Sequence, residues 1–469
     1  MKIKRIILST LALSLCVGSL VSCGSKKNPN SQDATSVKTS TKKVSTSKTS
    51  TSTNTSTSTS KNTSTSKSTS TSTTTSEVTD NAYSFETEAV GTDELAITSF
   101  VKNTSQNHLD TLVVPDEIDG KPVTKIKFNA FASGFYTIEI DKIVFGKNLK
   151  EINFVNFNLN RIKSVEISSE NEYYKVVGDS ILSADGKTFV LALNQEELTI
   201  PSTVETIGSY SLNTVSPTAL NGYELPSNIR TIEDAALTSR IDTIVLNEGL
   251  TTVEDRGLYV KNIILPKSLK NIRPQSFYEV ENISVASGNE KYNSQDNCVI
   301  ETATNKLVAV GLNFKIPSTV KSIGYGVFGY TNRFTSITIP NTVKTISGTF
   351  AFAFCSNLET LVLPSDIKFV HSSTGVELNH MNYAIEGCSK LKSFNIPETV
   401  TYLQATDLYG LGSLEYLYIP AITKIDKDVF RNTPKLTNVK INLTQAKWEA
   451  LEYEDTSEKL KDIEFKFNS

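Results

Sequence analysis

The sequence has 469 residues, of which 38% are hydrophobic and 21% charged, and its formal net charge is −3. A chain so close to charge balance is not a generally basic nucleic-acid-binding protein. Of its five cysteines, Cys16 and Cys23 lie in the N-terminal segment described next. The other three, Cys298, Cys355 and Cys388, are too few and too scattered for a disulfide framework or a tetrahedral zinc site, so we interpret them as buried small residues.

The chain begins with a candidate leader. Two lysines and an arginine within residues 2–5 precede an apolar run, residues 6–17, that is too short to cross a bilayer. This pattern is typical of a secretory signal peptide, which we assign to residues 1–22. The sequence LVSC at 20–23 resembles the bacterial lipobox, and the resemblance implies lipid attachment at Cys23 and a membrane-anchored place on the bacterial cell surface. The alternative is an ordinary signal peptide with a chance cysteine.

A segment of low complexity follows, and we assign residues 23–78 to a disordered stalk. Residues 24–76 are almost entirely Ser, Thr, Lys and Asn and carry a charge of +7, so they offer little apolar surface to bury. Taking that +7 and the +3 of the leader from the whole chain's −3 leaves −13 for residues 77–469. A basic tether below an acidic body suits an anionic envelope and argues against a nucleic-acid partner, although a merely soluble linker would have the same composition.

The rest of the chain is an internal repeat. Short apolar stretches each end at an anchor residue, and many of the intervals between anchors lie between 19 and 25 residues. The anchors are Pro201, Pro226, Asn247, Pro266, Pro317, Pro340, Pro364, Pro397, Pro420 and Asn442. Apolar residues one and three places before each anchor, such as Ile337 and Ile339, predict a short strand with one buried face.

Further apolar slots lie three and six places after the anchor, and a large apolar residue five places later closes the unit. Val320, Ile323 and Phe328 fill these slots in one unit. A unit this small cannot fold alone, so stacked units must share a core. The sequence therefore predicts a repeat solenoid with a parallel β-sheet on one side and short turns or helices on the other.

One unit contains G-x-G-x-x-G through Gly324, Gly326 and Gly329, the pattern of a dinucleotide-binding loop. Other residue types fill the first two slots in other units, and no crossover helix follows. We therefore interpret the glycines as part of the repeat and expect no cofactor and no small-molecule substrate.

The repeats resemble the BspA-like leucine-rich-repeat surface proteins. IPSTVKSIGYGVF and the CSNLETLVLP and CSKLKSFNIP joints carry the resemblance, which extends over most of 85–469. It implies an N-terminal module at 79–131, a solenoid at 132–441 and a closing cap at 442–469 that contains Trp448. It further implies an extracellular, non-enzymatic, ligand-binding protein, with some family members acting as adhesins. We find no catalytic constellation in the sequence.

Two similar inserts, 168–193 and 286–311, interrupt the repeat. Each predicts a β-hairpin of two strands around a polar turn, at Ala184-Asp185-Gly186 in the first and Thr304-Asn305 in the second. We interpret both as structural interruptions of the repeat. The alternative is that they are binding elements.

The third break, residues 371–387, contains two of the three histidines of the chain. His371, His380 and Glu377 could bind a metal, but their spacing fits no known metal motif, and we expect no metal site. A partner-contact loop and an inert insertion both remain open.

The outward positions of the predicted sheet are the natural place for a ligand. The candidate ligand face comprises Thr338, Val362, Asn395, Tyr416, Tyr418 and Lys440. The two tyrosines are the strongest candidates because tyrosine is favoured at interfaces. We expect a macromolecular partner, a host or envelope protein or possibly a glycan. The alternative function is that of a structural or carbohydrate-binding envelope protein. The alternative for these six side chains is that they only cover the sheet.

Overall fold

The computed structural model describes residues 82–127, 130–131, 138–153, 161–273, 275–456 and 458–469. The leader, Cys23 and the stalk assigned above lie outside these residues. The described chain forms short strands joined by turns, in coils that follow one another along a solenoid. The predicted repeat solenoid with two hairpin inserts is therefore confirmed.

Strands dominate the described residues. The first eleven are β1 (Tyr83–Val90), β2 (Glu94–Lys102), β3 (His108–Val114), β4 (Glu117–Ile118), β5 (Lys121–Ile126), β6 (Glu139–Phe145), β7 (Glu151–Ile152), β8 (Ile162–Ile167), β9 (Tyr174–Val177), β10 (Ser180–Ser183) and β11 (Thr188–Ala192). The next eleven are β12 (Thr206–Ile207), β13 (Thr231–Ile232), β14 (Leu237–Thr243), β15 (Thr252–Val253), β16 (Leu258–Leu265), β17 (Asn271–Ile272), β18 (Phe277–Tyr278), β19 (Asn282–Val285), β20 (Tyr292–Gln295), β21 (Cys298–Glu301) and β22 (Lys306–Val310). The last twelve are β23 (Ser322–Ile323), β24 (Ser336–Thr338), β25 (Thr345–Ser347), β26 (Thr360–Val362), β27 (Lys368–Val370), β28 (Glu377–Leu378), β29 (Ser393–Asn395), β30 (Tyr402–Leu403), β31 (Tyr416–Ile419), β32 (Lys424–Ile425), β33 (Asn438–Ile441) and β34 (Glu464–Lys466).

Helix is scarce in the described residues. It includes α1 (Pro217–Leu220), α2 (Gln445–Glu449) and the 3-10 segments Ala405–Leu408 and Glu458–Asp462. Trp448 of α2 is buried and packs against Phe465 of β34, with ring centroids 6.0 Å apart.

Most coils contribute one strand to a parallel sheet on one side of the solenoid, and we call these the front strands. An anchor follows one or two residues after the end of β16, β24, β26, β29, β31 and β33. They pair in parallel as β3-β6-β8, β14-β16-β19 and β24-β26-β29-β31-β33, and β34 pairs with β33 at the end. Side chains alternate as predicted, so that in β26 Leu361 is buried between the exposed Thr360 and Val362. Proline at the anchor ends a strand because it has no N–H to donate to the next rung.

The opposite side of the coils differs in detail from the expected turns and helices. It consists of two- and three-residue back strands, paired in parallel as β12-β13-β15-β17, β23-β25-β27 and β30-β32. Ile207 is in register with Ile232, and Ile232 with Val253. These slots are β-branched, and β-branched side chains suit an extended backbone that stacks in register.

The two inserts have one strand more than predicted. The first is the antiparallel meander β9-β10-β11 and the second is β20-β21-β22, with the polar turns at the predicted places. The last strand of each meander then pairs in parallel with the back strand of the next coil, so that Phe189 lies beside Ile207 and Leu307 beside Ile323.

The central strand of each insert is buried on both faces and separates neighbouring parts of the core. In β10, Ile181 packs into the core that precedes the insert, whereas Leu182 packs into the core that follows it. In β21, Val299 belongs to the preceding core and Ile300 to the following one. The inserts are thus internal walls, and the hydrophobic core consists of three consecutive segments.

An asparagine side chain with the same four hydrogen bonds attaches each wall to the coil before it. Asn289 donates hydrogen bonds to the carbonyl oxygens of Pro266 (2.9 Å) and Leu269 (3.0 Å) and accepts from the amides of Lys291 and Tyr292. Asn171 makes the equivalent four hydrogen bonds at the first wall. A single side chain therefore joins each wall to the coil before it.

The predicted repeat slots point into the core. Val320, Ile323 and Phe328 are at most 1% exposed. All three late cysteines are buried and unbridged, which confirms their interpretation as small core residues.

Candidate functional site

The structure places the candidate ligand face on the last front sheet. β24, β26, β29, β31 and β33 run in parallel and stack their outward side chains in two columns. One column contains Thr338, Val362, Asn395, Tyr418 and Lys440. Thr338 is in register with Val362, Asn395 with Tyr418, and Tyr418 with Lys440. Tyr416 lies in the neighbouring column, between Ser393 and Asn438. The six predicted side chains therefore form one contiguous surface.

The two tyrosines of this face differ in freedom. Tyr416 is exposed, whereas Tyr418 is half-buried and its hydroxyl donates a 2.5 Å hydrogen bond to a carboxylate oxygen of Glu398. Burial and the adjacent carboxylate raise the pKa of Tyr418 to about 12. The same carboxylate accepts from Asn442, whose side-chain oxygen accepts from Asn468. Tyr418 is thus held in place, and Tyr416 is the ring available to a partner.

Charge on this face is mixed. Lys392 forms an ion pair of 2.6 Å with Glu359, and Lys466 lies 3.3 Å from Glu464. Lys440 lies between them on an exposed position of β33. The face therefore carries hydroxyl, amide, aliphatic, aromatic and basic groups in one patch.

The sequence analysis missed two exposed aliphatic residues on the front side of the coils, Val245 just after β14 and Ile264 in β16. Val245 and Ile264 are 48% and 65% exposed and hold the same slot as Val362, two places before an anchor. The slot itself was visible in the sequence, so this pair could have been found by applying the outward rule to every unit.

The three side chains of the third break considered for a metal do not form a group. His371 contacts the hydroxyl of Ser373 at 3.0 Å, and Glu377 forms a 2.8 Å ion pair with Lys368. His380 packs edge-on against the ring of Tyr402, and burial lowers the pKa of its imidazole. Each is thus engaged separately.

Among the described residues, one other group of side chains brings ligand atoms within 4.8 Å of one another: His108, Asp110 and Asp141. It lies on β3 and β6. The ammonium of Lys163 already lies 2.6 Å from Asp141 and, together with the imidazole of His108, holds the pKa of that carboxyl below its usual range. The Asp141 carboxylate is therefore already engaged by Lys163 and His108.

The glycine pattern belongs to the coil, but two of its slots have local requirements that the sequence did not reveal. Gly326 has φ of 62°, and the same slot is left-handed with Tyr210, Ala235 and Asp428. At Gly324 an added Cβ would lie 3.0 Å from the carbonyl oxygen of Leu307 in the second wall. The wall strand approaches Gly324 closely, so a larger residue there would require that strand to shift by a few tenths of an ångström.

Aromatic rings also collect outside the front sheet. Phe350 contacts Tyr330 and Tyr383 with ring centroids 5.9 and 5.7 Å apart, and Phe354 lies 5.1 Å from Tyr330. Phe354 is 41% exposed. These residues follow the back strands at positions that vary from unit to unit, so no periodic signal indicated them.

Comparison of the sequence with models of known protein families finds one that matches the repeats. The family model described as BspA type Leucine rich repeat region matches residues 184–306, 311–374 and 379–468, in six copies. Together these ranges are more than half of the chain.

Three solved structures are similar to this chain. A leucine-rich cell surface protein from Faecalibacterium prausnitzii A2-165 is 20% identical, with 81% of this chain and 98% of that chain covered and a TM-score of 0.45. The pneumococcal vaccine antigen PcpA is 14% identical, with coverage of 83% and 98% and a TM-score of 0.45. A leucine-rich repeat protein from Bacteroides ovatus ATCC 8483 is 17% identical, with coverage of 84% and 100% and a TM-score of 0.33. No curated protein sequence matches the chain. Within the described residues, no helix has the length and apolarity needed to span a bilayer.

Proposed function

Because the chain belongs to the BspA-type leucine-rich-repeat family, we propose that it is an adhesin-like protein of the bacterial cell surface that binds a macromolecular ligand, a host or envelope protein, through its last front sheet. The observation that carries the proposal is the in-register column from Thr338 to Lys440 beside the exposed Tyr416. Parallel strands repeat every ~4.8 Å, so the column offers a broad and regular surface. Tyr416 is the proposed central contact.

A pull-down of host matrix proteins and envelope proteins by the full chain tests this proposal. Once a partner is captured, Tyr416→Ala should weaken its binding by about 30-fold or more if the ring is a hot spot, which corresponds to roughly 2 kcal/mol. Val362→Glu should also weaken binding, because it places an unpaired charge at the centre of the contact.

Ile264→Glu is the matched control, because Ile264 holds the same slot on another front sheet and is even more exposed. Partner binding that is lost equally in the Ile264 and Val362 variants would place the contact elsewhere. A captured partner that binds both the Tyr416 and Val362 variants at full strength would refute the assignment of the face.

We further propose that Cys23 carries the membrane anchor. The support is the lipobox-like sequence described above, together with the stalk-like composition that follows it. Cys23→Ser should release the protein into the medium or leave it unprocessed. A fatty-acid analogue that still labels the variant would contradict this anchor without touching the proposal for the front sheet.

A further inference from the structure

A cleft of about 780 Å³ lies on the back strands and is not used by the proposed function. Its floor comprises β23 and β25. Lys291 and Tyr292 of the second wall line one side, and His371 of the turn between β27 and β28 lines the other. The second and third breaks of the repeat, which are far apart in the sequence, therefore meet at one cavity.

The floor of the cleft presents hydroxyl groups. Ile323 and Ile346 point into the core, so Ser322, Thr345 and Ser347 point outward by strand alternation. The hydroxyl of Ser347 has no hydrogen-bond partner among the described residues, although the side chain is only 7% exposed. An unpartnered buried hydroxyl is costly, and a ligand hydroxyl bound in the cleft would remove that cost.

The charged groups of the cleft are largely paired with each other. Arg273 bonds to Glu254 at 2.9 Å, and Lys306 lies 3.1 Å from Glu301. The ammonium of Lys291 lies 5.6 Å from the centre of the Tyr292 ring. Such pairs present fixed donors and acceptors with little net charge, which favours an uncharged polar ligand over an ion.

Two aromatic rings line the same cleft. Tyr292 is only 4% exposed, because its ring packs into the core and its hydroxyl donates to the carbonyl oxygen of Lys270 at 3.2 Å. The ring of Tyr325 is therefore the one that a ligand can reach. Tyr325 is partly buried, edge-on to Phe350 with centroids 6.4 Å apart. A sugar ring has an apolar C–H face and a rim of hydroxyls, and a site that combines one accessible aromatic ring with fixed hydrogen-bonding groups complements both.

We propose that this cleft is a carbohydrate-binding site for a short segment of an uncharged glycan. Its volume lies within the ~300–1,000 Å³ range of small-ligand sites, which accommodates a few sugar rings. The site is distinct from the front sheet and does not depend on the function proposed there. A smaller cleft of about 440 Å³ lies at the first wall, where Tyr174 and Gly208 take the places of Tyr292 and Gly324.

The test is a titration of the full chain with cellohexaose, chitohexaose, maltohexaose and the acidic hyaluronan hexasaccharide, followed by calorimetry and ligand-detected NMR. We expect at least one uncharged hexasaccharide to bind. Ser322→Trp should fill the floor and weaken that binding at least tenfold, whereas Thr231→Trp, in the same slot of another coil, should leave it unchanged. Ser347→Ala should weaken it by about two- to tenfold, the effect of one neutral hydrogen bond.

Three results would overturn the proposal. One is binding of none of the uncharged probes, and another is binding that Ser322→Trp leaves intact. The third is binding of hyaluronan alone that is lost in Arg273→Gln but kept in Arg240→Gln, because that result would identify an anion site. Arg240 is the matched control, since it is paired with Glu281 outside the cleft. Glycan binding that survives Tyr416→Ala would separate this site from the front sheet.

Discussion

Truncation of Phe328 should destabilise the solenoid far more than a change at the neighbouring Gly326. Phe328 is fully buried and stacks on Phe352 in the next coil, with ring centroids 5.3 Å apart and an interplanar angle of 7°. It also contacts Phe314 and Phe334 at 5.3 and 6.1 Å. Phe→Ala in a core typically costs about 3–5 kcal/mol, and the lost stacking places Phe328→Ala in the upper part of that range.

Gly326→Ala acts through the backbone alone. Its φ of 62° lies in the left-handed region, where a Cβ costs about 1–2 kcal/mol. Ala235 adopts φ of 51° in the same slot, so the coil tolerates this strain. The expected difference between the two variants is therefore about 2 kcal/mol or more.

Urea unfolding of the full chain, followed by far-ultraviolet circular dichroism, measures both variants. Each is measured with and without NAD. Equal losses of unfolding free energy in the two variants would refute the packing argument. Stabilisation of the wild type by NAD that is absent from the Gly326 variant would restore the dinucleotide-loop interpretation.

Three further predictions concern the wall, a buried carboxyl and the stalk. Asn289→Ala should cost about 2–4 kcal/mol of unfolding free energy because four hydrogen bonds are lost, whereas the exposed Asn293→Ala on the same wall should cost under about 1; equal costs would contradict the attachment role. Burial raises the pKa of Asp407 to about 7, so its proton stabilises the fold below pH 4 and this contribution is lost as the pH rises from about 4 to 7. Asp407→Asn should therefore lose less stability over that pH range than the wild type in parallel thermal melts, and identical slopes would contradict the assignment. Limited proteolysis should cut within residues 23–78 and leave the repeats whole, and a stable fragment that ends inside the repeats would argue for separate domains.

Buried slots could be predicted from the sequence because burial repeats with the coil. Ile323 and Phe328 hold positions that are apolar in unit after unit, and the structure places both in the core. The first strand of each insert, β9 or β20, was missed because it is short. Its residues, such as Tyr174 in a polar segment, alternate over only four positions. Such a short alternation is also typical of an irregular loop.

Other features depend on contacts that no local pattern records. The left-handed turn at Gly326 is invisible in the sequence because residues of many kinds occupy the slot. The cleft exists because His371 and Lys291 are brought together across the back strands. Its unpartnered hydroxyl at Ser347 resembles any other serine of a strand until the surrounding residues are in place.

The internal walls have a consequence for how such a chain could lengthen. Because β10 and β21 each contribute side chains to the core on both sides, each wall ends one stack of coils and begins the next. A duplicated block that starts at one wall and stops before the next would bring matching surfaces to both of its junctions. Gene duplication in units of a wall plus its coils would therefore insert without exposing an unfinished core, whereas duplication of part of a stack would join coils that no wall terminates.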